Sequence, residues 1–366
     1  ILMISIIGFT FYHYQSLKKK ENLSLKTSLV TKQNEISKSL KTTGYTIDNP
    51  KIILDPYEAS PLTALVLFET EEEVSPKVII KGKDKSTTFT MDFTKNKKHY
   101  LPIYGLYPDY NNKVEINYTL KNGKKVIKEM EIKTGALPDD FILPTSVKKD
   151  SSKLSNDLYF FTPSSKGYTC AYDVNGDVRW YLSNNAVWDN TRLKNGHMMV
   201  STERLVNSPY YMTGLYEIDL LGHIYNEYSL KGGYHHDYFE LPNGNLLVAS
   251  DDFNNESGTV EDYIVELDRT TGNIVKTWDL KDVLNMEDGK SENWSNYDWF
   301  HNNSVWYDEA TNSITLSGRH QDAVINIDYT SGKLNWIIGD STNWSSEYQK
   351  YFFTPVGKDF EWQWSQ

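Results

Sequence analysis

One turn recurs through the second half of the chain and restricts what that half can fold into. An Asp opens it, a Gly closes it three or four residues later, and an apolar strand follows. The copies are Asp173 to Gly176, Asp219 to Gly222, Asp268 to Gly272 and Asp328 to Gly332. Three of them lead to a tryptophan, at Trp180, Trp278 and Trp336. The Asp positions lie 46, 49 and 60 residues apart, the length of a four-stranded antiparallel unit that buries its faces only by stacking on its neighbours. A second turn joins two strands within each unit: Leu193 to Gly196 and Leu241 to Gly244, with Asp308–Ser313 as a longer counterpart. Residues 136–366 therefore read as a β-propeller with about four blades in view. No Gly-His…Trp-Asp signature sets it in the WD40 class, and the ring is expected to be incomplete.

Aligning the units on their inner turn gives a column. Counting back, the residue at the start of the innermost strand is Trp188, then His236, then His301. In a propeller that position lines the mouth of the central channel. A further step of similar length ends close to Gln366, so another channel residue is expected just past it. Strand alternation predicts that only one of His235 and His236 reaches the channel, and it separates Arg319 from His320 in the same way.

Before the repeat, residues 46–135 read as an antiparallel β-sandwich. The segments KIILDP, ALVLFET, KVIIKGK, TTFTMDF, KHYLPIYGLY, KVEINYTL and KKVIKEMEIKT alternate or run apolar between Pro, Asn-Asn and Asn-Gly breaks. Lys121-Asn122-Gly123-Lys124 is expected to be a two-residue hairpin turn. Residues 1–20 begin with a strongly apolar run ending in Lys18, Lys19 and Lys20 and read as a truncated signal or membrane anchor of undetermined orientation. Residues 21–45 are rich in Lys, Ser and Glu and read as a solvated stalk.

Composition excludes some functions. A net charge of −11 with no recurring basic cluster argues against nucleic acid as a partner. The 26 Tyr and 10 Trp suit a β-rich protein whose cavities are lined by rings. Cys170 is the only cysteine, so it forms no internal disulfide and reads as a small buried hydrophobe.

From about residue 46 onward the chain resembles the bacterial arylsulfate sulfotransferases that use no nucleotide sulfate donor. The resemblance is strongest in YHHDYFELPNGNLLVAS (234–250) and in DWFHNNSVWYDEATNSITLSGRHQDAVINIDYTSGKLNWIIG (298–339). It implies a six-bladed propeller behind a β-sandwich, exported from the cytoplasm. It also implies ping-pong transfer of a sulfuryl group from an aryl sulfate ester to a phenolic acceptor through a sulfated histidine, with neither cofactor nor metal. His301 and Arg319 match active-site positions of the family. The pair His235-His236 matches a further active-site histidine without deciding between the two. The family's nucleophilic histidine follows a Trp/Gln-rich run like FEWQWSQ (360–366), so the nucleophile is expected just beyond Gln366 and the chain by itself is expected to be inactive.

The residues support such chemistry independently. A planar guanidinium at Arg319 can hold two sulfuryl oxygens. A histidine, His301 or His236, can protonate a departing phenolate near neutral pH. Trp299, Phe300 and Trp306, with Trp294, flank the site and could stack on an aryl ring. The partners expected are therefore a small aryl sulfate donor, a phenolic acceptor and a membrane, with homodimerisation left open. Two other classes share parts of the pattern. A quinone-cofactor propeller dehydrogenase uses the same Asp…Gly…Trp arm, but an adjacent cysteine pair and a clear set of calcium ligands are missing. A non-catalytic surface binding module could use the acidic run Asp251–Asp262, which otherwise reads as a solvated loop. A metal-dependent hydrolase would need ligand spacings among His235, His236, His301 and His320 that the sequence lacks.

Overall fold

The computed structural model describes residues 29–150, 154–163, 167–184, 186–357 and 362. The expected anchor at 1–20 lies outside these, as does nearly all of the run at 360–366. Among the described residues no helix is long and apolar enough to cross a membrane.

Each of the seven strand segments expected between residues 46 and 135 forms a strand: β1 (Lys51–Leu54), β2 (Ala64–Val74), β3 (Lys77–Ile80), β4 (Phe89–Asp92), β5 (Asn96–Ile103), β6 (Asn111–Thr119) and β7 (Lys125–Lys133). They make two antiparallel sheets, ordered β1-β2-β5 and β4-β3-β6-β7. Alternation on β6 turns Asn112, Val114, Ile116 and Tyr118 inward, where they meet Phe68, Val78, Ile80, Leu101 and Ile103. The β6–β7 turn is longer than its Asn-Gly suggests. Leu120 N donates to Lys124 O at 2.9 Å and Gly123 takes a left-handed φ of +82°, a three-residue loop rather than a two-residue one.

The charged stretch ahead of the sandwich is not a free spacer where it is described. Residues 29–39 are helical, and Leu29, Val30, Ile36 and Leu40 pack on apolar clusters. Leu29 and Ile36, with Leu40 just past the helix end, follow one stripe, which the surrounding Lys, Ser and Glu disguise. Gln33 lies in that stripe and is buried; it donates to Tyr57 O and Gly222 O at 3.3 and 3.1 Å and accepts from Ile224 N at 2.6 Å.

Beyond the sandwich the chain forms short antiparallel meanders. Strands β8 (Tyr159–Phe161), β9 (Cys170–Tyr172) and β10 (Val178–Tyr181) make a three-stranded sheet. A five-stranded sheet follows, from β11 (Thr191–Arg192), β12 (Met198–Ser201), β13 (Leu205–Asn207), β14 (Tyr211–Ile218) and β15 (Ile224–Tyr234). Two four-stranded sheets complete it: β16 (Tyr238–Glu240), β17 (Leu246–Ser250), β18 (Tyr263–Leu267) and β19 (Ile274–Asp279), then β20 (Asn302–Asp308), β21 (Ser313–Gly318), β22 (Ala323–Asp328) and β23 (Leu334–Gly339). Only these last two have the four strands that the repeat length predicts. The recurrent turn works alike throughout. The Asp carboxylate accepts main-chain amides two to four residues on, as Asp173 does from Asn175 and Asp177 and Asp219 from Leu221 and His223. The Gly then adopts a left-handed φ, +79° at Gly176 and +72° at Gly272.

The chain divides into two compact units, residues 1–203 with 216–227, and residues 204–215 with 228–366. In the first, the sandwich and the β8–β10 sheet share a core that takes in Cys170, Val178 and Tyr181. They are tied together by Arg179, which is fully buried under the rings of Tyr107 and Phe89. Its guanidinium donates to Gly105 O, Thr87 O and Asp173 Oδ2 at 2.7, 3.0 and 2.8 Å. In the second unit the two four-stranded sheets enclose one core, including Leu247, Ile264, Trp278, Trp299, Phe300, Leu316 and Ile325.

Candidate functional site

Two short loops of the second unit deliver the site, one between β15 and β16 and one before β20. His236 at φ +54° and His301 at φ +55° are both left-handed, and Trp188, their counterpart in the repeat, sits at +65°. The column read from the sequence thus marks a shared backbone conformation. A non-glycine residue holds it at a cost on the order of 1 kcal/mol, and only where the surroundings enforce it. Asp237 supplies that enforcement. Its Oδ2 accepts from Val305 N at 2.7 Å, its amide donates to His235 O at 2.7 Å, and its carbonyl accepts from Ala249 N at 3.0 Å. The rings of His236 and His301, 65 residues apart in sequence, are thereby brought to a centroid separation of 5.2 Å.

Two carboxylates address His301. Its Nδ1 lies 2.7 Å from Asp298 Oδ2 and 3.1 Å from Glu261 Oε2. Glu261 also lies 3.3 Å from His236 Nε2, while its other oxygen accepts from the hydroxyls of Tyr210 and Tyr211 at 2.5 and 3.1 Å. Burial pushes the Glu261 carboxyl up, but the His236 contact and the imidazoles of His235 and His301 outweigh it and hold Glu261 well below the usual carboxylate range. An ionised carboxylate only accepts, so Nδ1 of His301 is assigned the proton and Nε2 is the nitrogen left for exchange. His320 closes the other side. Its ring lies 4.5 Å from that of His301, and its Nδ1 donates to Asp298 O at 2.6 Å.

The structure separates His235 from His236. His235 is fully buried with Nε2 on Ser250 O at 3.2 Å, and burial pulls it down to about 4, which makes it a neutral structural residue near pH 7. His236 is the partly exposed one, facing Glu261 and His301. The outcome follows from the left-handed kink at His236 and not from strand alternation, since neither residue lies in a strand. Alternation fails at Arg319 and His320 too. Strand β21 ends at Gly318, and residues 319–321 form a 3-10 turn. Both residues are consequently held at the His301 loop: Arg319 N donates to His301 O and His320 N to Phe300 O, each at 3.1 Å. The Arg319 guanidinium makes no hydrogen bond or ion pair among the described residues, and its Nε is buried.

The expected aryl-stacking residues are placed differently. Trp299 and Phe300 are wholly buried in the core between the two four-stranded sheets, Trp299 donating its indole N–H to Asp262 Oδ2 at 2.7 Å. Neither can lie against a ligand without emptying that core. Trp306 is 61% exposed but edge-on to Phe239, about 16 Å along the strand from His301. Trp294 packs on the same core and donates to Met286 O at 3.1 Å. Cys170 is buried and its thiol is pushed up by burial, away from nucleophilic character.

Two residues that matter most were not singled out from sequence. Asp298 stands three positions before His301, a spacing that could have flagged it. Glu261 sits in the acidic run expected to be a solvated loop, yet Asp251, Glu261 and Asp262 in that run are all buried. The four histidines also lie much closer together than their sequence spacing suggests. His235, His236 and Glu261 form one set of donor atoms, and Asp298, His301 and His320 another, each set within 4.8 Å. The nitrogens of His301, His320 and His235 in these sets are already turned to oxygens of the protein.

A two-sheet sandwich followed by antiparallel meanders, with a histidine–carboxylate cluster beside the half-buried Arg319, is the setting in which the comparisons with known proteins fall. Residues 144–366 match the family described as "Arylsulfotransferase (ASST)" and residues 51–135 the "Arylsulfotransferase Ig-like domain". The chain belongs to the arylsulfotransferase family. It is 23% identical over 400 residues to arylsulfate sulfotransferase AssT of Lelliottia amnigena and 24% identical over 399 residues to that of Escherichia coli O6:H1. Each alignment covers 83% of this chain and 66% of the relative. Among solved structures, an auxiliary nutrient binding protein from Bacteroides ovatus aligns at 12% identity with a TM-score of 0.32 over 75% of this chain and 66% of that one, a likeness too slight to build on.

Proposed function

We propose that the full-length protein transfers a sulfuryl group from an aryl sulfate ester to a phenol by a ping-pong route through a sulfohistidine. The observation that carries this reading is the Arg319 guanidinium: it has no partner among the described residues, its Nε is buried, and its backbone is hydrogen-bonded to His301. A sulfuryl group spreads its charge over three oxygens, and a planar fork of donors answers two of them. In the first half-reaction a neutral histidine nitrogen forms a bond to sulfur as the bond from sulfur to the aryl oxygen breaks. That oxygen takes a proton from His301 Nε2 or from His236. The acceptor phenol returns the proton to the same histidine as its oxygen takes the sulfuryl group. The nucleophile belongs beyond Gln366 on this reading, and His301 and His236 act as proton carriers, not as the sulfated residue.

The same reading takes the successive meanders as blades of a propeller ring, with His236 and His301 at its mouth, and places the protein outside the cytoplasm on an N-terminal anchor. The decisive test uses an aryl sulfate whose phenol is coloured. Release of that phenol by the full-length protein should depend on an acceptor phenol, and radiolabelled sulfate should stay on the protein when the acceptor is withheld. Release at the same rate without acceptor would make the protein a hydrolase. No release at all with intact, folded protein would favour a binding module.

A further inference from the structure

Glu261 is a buried residue that the sulfuryl-transfer reading leaves without a task. Its side chain is fully enclosed, its backbone is left-handed at φ +57°, and both ends of its peptide unit are engaged. Its N–H donates to Asp251 Oδ1, and its C=O accepts from Asn302 N at 3.1 Å. Asn302 directly follows His301, so the hydrogen bond couples the Glu261 backbone to the catalytic loop. The carboxylate then faces two ways. Oε1 takes the hydroxyls of Tyr210 and Tyr211, at 2.5 and 3.1 Å, while Oε2 lies 3.1 Å from His301 Nδ1 and 3.3 Å from His236 Nε2.

We propose that Glu261 is a positioning residue that fixes the tautomer of His236 and the mutual orientation of the His236 and His301 rings, Asp298 holding the His301 tautomer, a role that rests on the sulfuryl-transfer reading of this site. A carboxylate cannot donate, and although neither contact is an aligned hydrogen bond, its charge 3.1 and 3.3 Å away favours hydrogen on the ring nitrogen beside it. His301 then presents Nε2, and His236 presents Nδ1, as the nitrogens that exchange protons with substrate. The two tyrosines lock the carboxylate so that it cannot swing toward one histidine and release the other. One enclosed side chain on a left-handed backbone thereby orients two catalytic rings that come from separate sheets, as an orienting carboxylate does for a single histidine elsewhere.

Glu261→Gln is the discriminating change in the full-length protein. Glutamine can keep an oxygen toward Tyr210 and Tyr211, but it then turns an NH2 toward two N–H groups. The proposal expects kcat to fall about a hundredfold, the scale of a lost general-acid contribution, with KM within about threefold in protein that still melts cooperatively. In 15N spectra of histidine-labelled protein, the His236 signal should change tautomer, while His301, still held by Asp298, keeps its Nδ1 protonated. A wild-type His236 tautomer in Glu261→Gln, or wild-type kcat, would overturn the proposal. If the variant does not fold, the wild-type spectrum still decides: His236 protonated on Nδ1 in place of Nε2 would refute it. The spectra need no turnover, so they judge Glu261 even if the protein transfers no sulfuryl group.

Discussion

His301 Nδ1 lies 2.7 Å from Oδ2 of Asp298, three residues upstream, because the left-handed backbone at His301 folds the ring back over its own loop. Asp298 also holds His320, chiefly through its main-chain carbonyl at 2.6 Å, the side-chain Oδ2 lying farther off at 3.5 Å. Replacing the side chain therefore separates the two roles. Asp298→Asn should leave the His320 contact and the fold intact while allowing His301 the wrong tautomer. The expected result in the full-length protein is a fall in kcat of about a hundredfold or more with little change in KM. Steady-state kinetics paired with thermal melts checks it, and turnover near wild type would mean that His301 does not exchange a proton through Nε2.

Stability should depend on pH through Asp251. Its carboxyl is pushed up to about 8, chiefly by burial, so the folded protein holds a proton there that the unfolded chain gives up near pH 4. A raised carboxyl contributes stability at low pH and loses it as pH rises through the folded value. His235, pulled down to about 4 by burial, acts in the opposite sense: its contribution is present above about 6.5 and lost as pH falls toward 4. The two oppose one another below about pH 6.5, so the clean window is from there to about 8.5. Thermal midpoints should decline across that window in the wild type. Asp251→Asn should flatten the decline, and an equal slope in both would locate the buried proton elsewhere.

In the first unit, Arg179 should be the costliest single cation to remove. Arg179→Met keeps much of the volume under Tyr107 and Phe89 but leaves the Asp173 carboxylate buried without its partner at 2.8 Å. Breaking one side of a buried ion pair costs about 3 kcal/mol or more. The thermal midpoint should fall by roughly 6–10 °C. Adding Asp173→Asn should restore part of the loss, since the uncompensated charge is then gone. A double variant no better than the single one would show that packing under the rings matters more than the charge.

The elements that local chemistry dictates were legible in the sequence. Alternation gave all seven sandwich strands, and Asp and Gly gave the recurrent turns, because both depend on residues within a few positions of one another. The repeat even located the left-handed column at Trp188, His236 and His301. What failed depended on partners distant in sequence. Trp299 and Phe300 read as site aromatics because they adjoin His301, but the second sheet claims them for the core. Glu261 read as part of a solvated loop because nothing local reveals Tyr210, Tyr211 and His301 waiting to surround it. Residues 29–39 read as spacer because their apolar stripe is sparse and its central member is the buried Gln33. Arg319 and His320 were given strand alternation that ends one residue before them, at Gly318.

That last point reshapes what Arg319 and His320 should do when changed. With strand alternation, His320 would face away and its removal would be harmless. In the 3-10 turn it lies beside His301, 4.5 Å ring to ring, and anchors Asp298 through its carbonyl. His320→Ala should therefore lower turnover in the full-length protein by about tenfold, through loosened support of His301. Arg319→Lys should do more. It keeps the positive charge but loses the planar fork, and on the sulfuryl-transfer proposal the interaction with the sulfuryl oxygens would strengthen as the group leaves the donor, so kcat should suffer more than donor binding. A loss of about a hundredfold, equivalent to about 2.7 kcal/mol, is the scale of one preorganised charge-stabilising donor. Steady-state kinetics on both variants, each with a thermal melt, orders them. If Arg319→Lys turns over normally while His320→Ala is inactive yet folded, Arg319 does not hold the transferred group, and the anion-binding role passes to the histidine cluster.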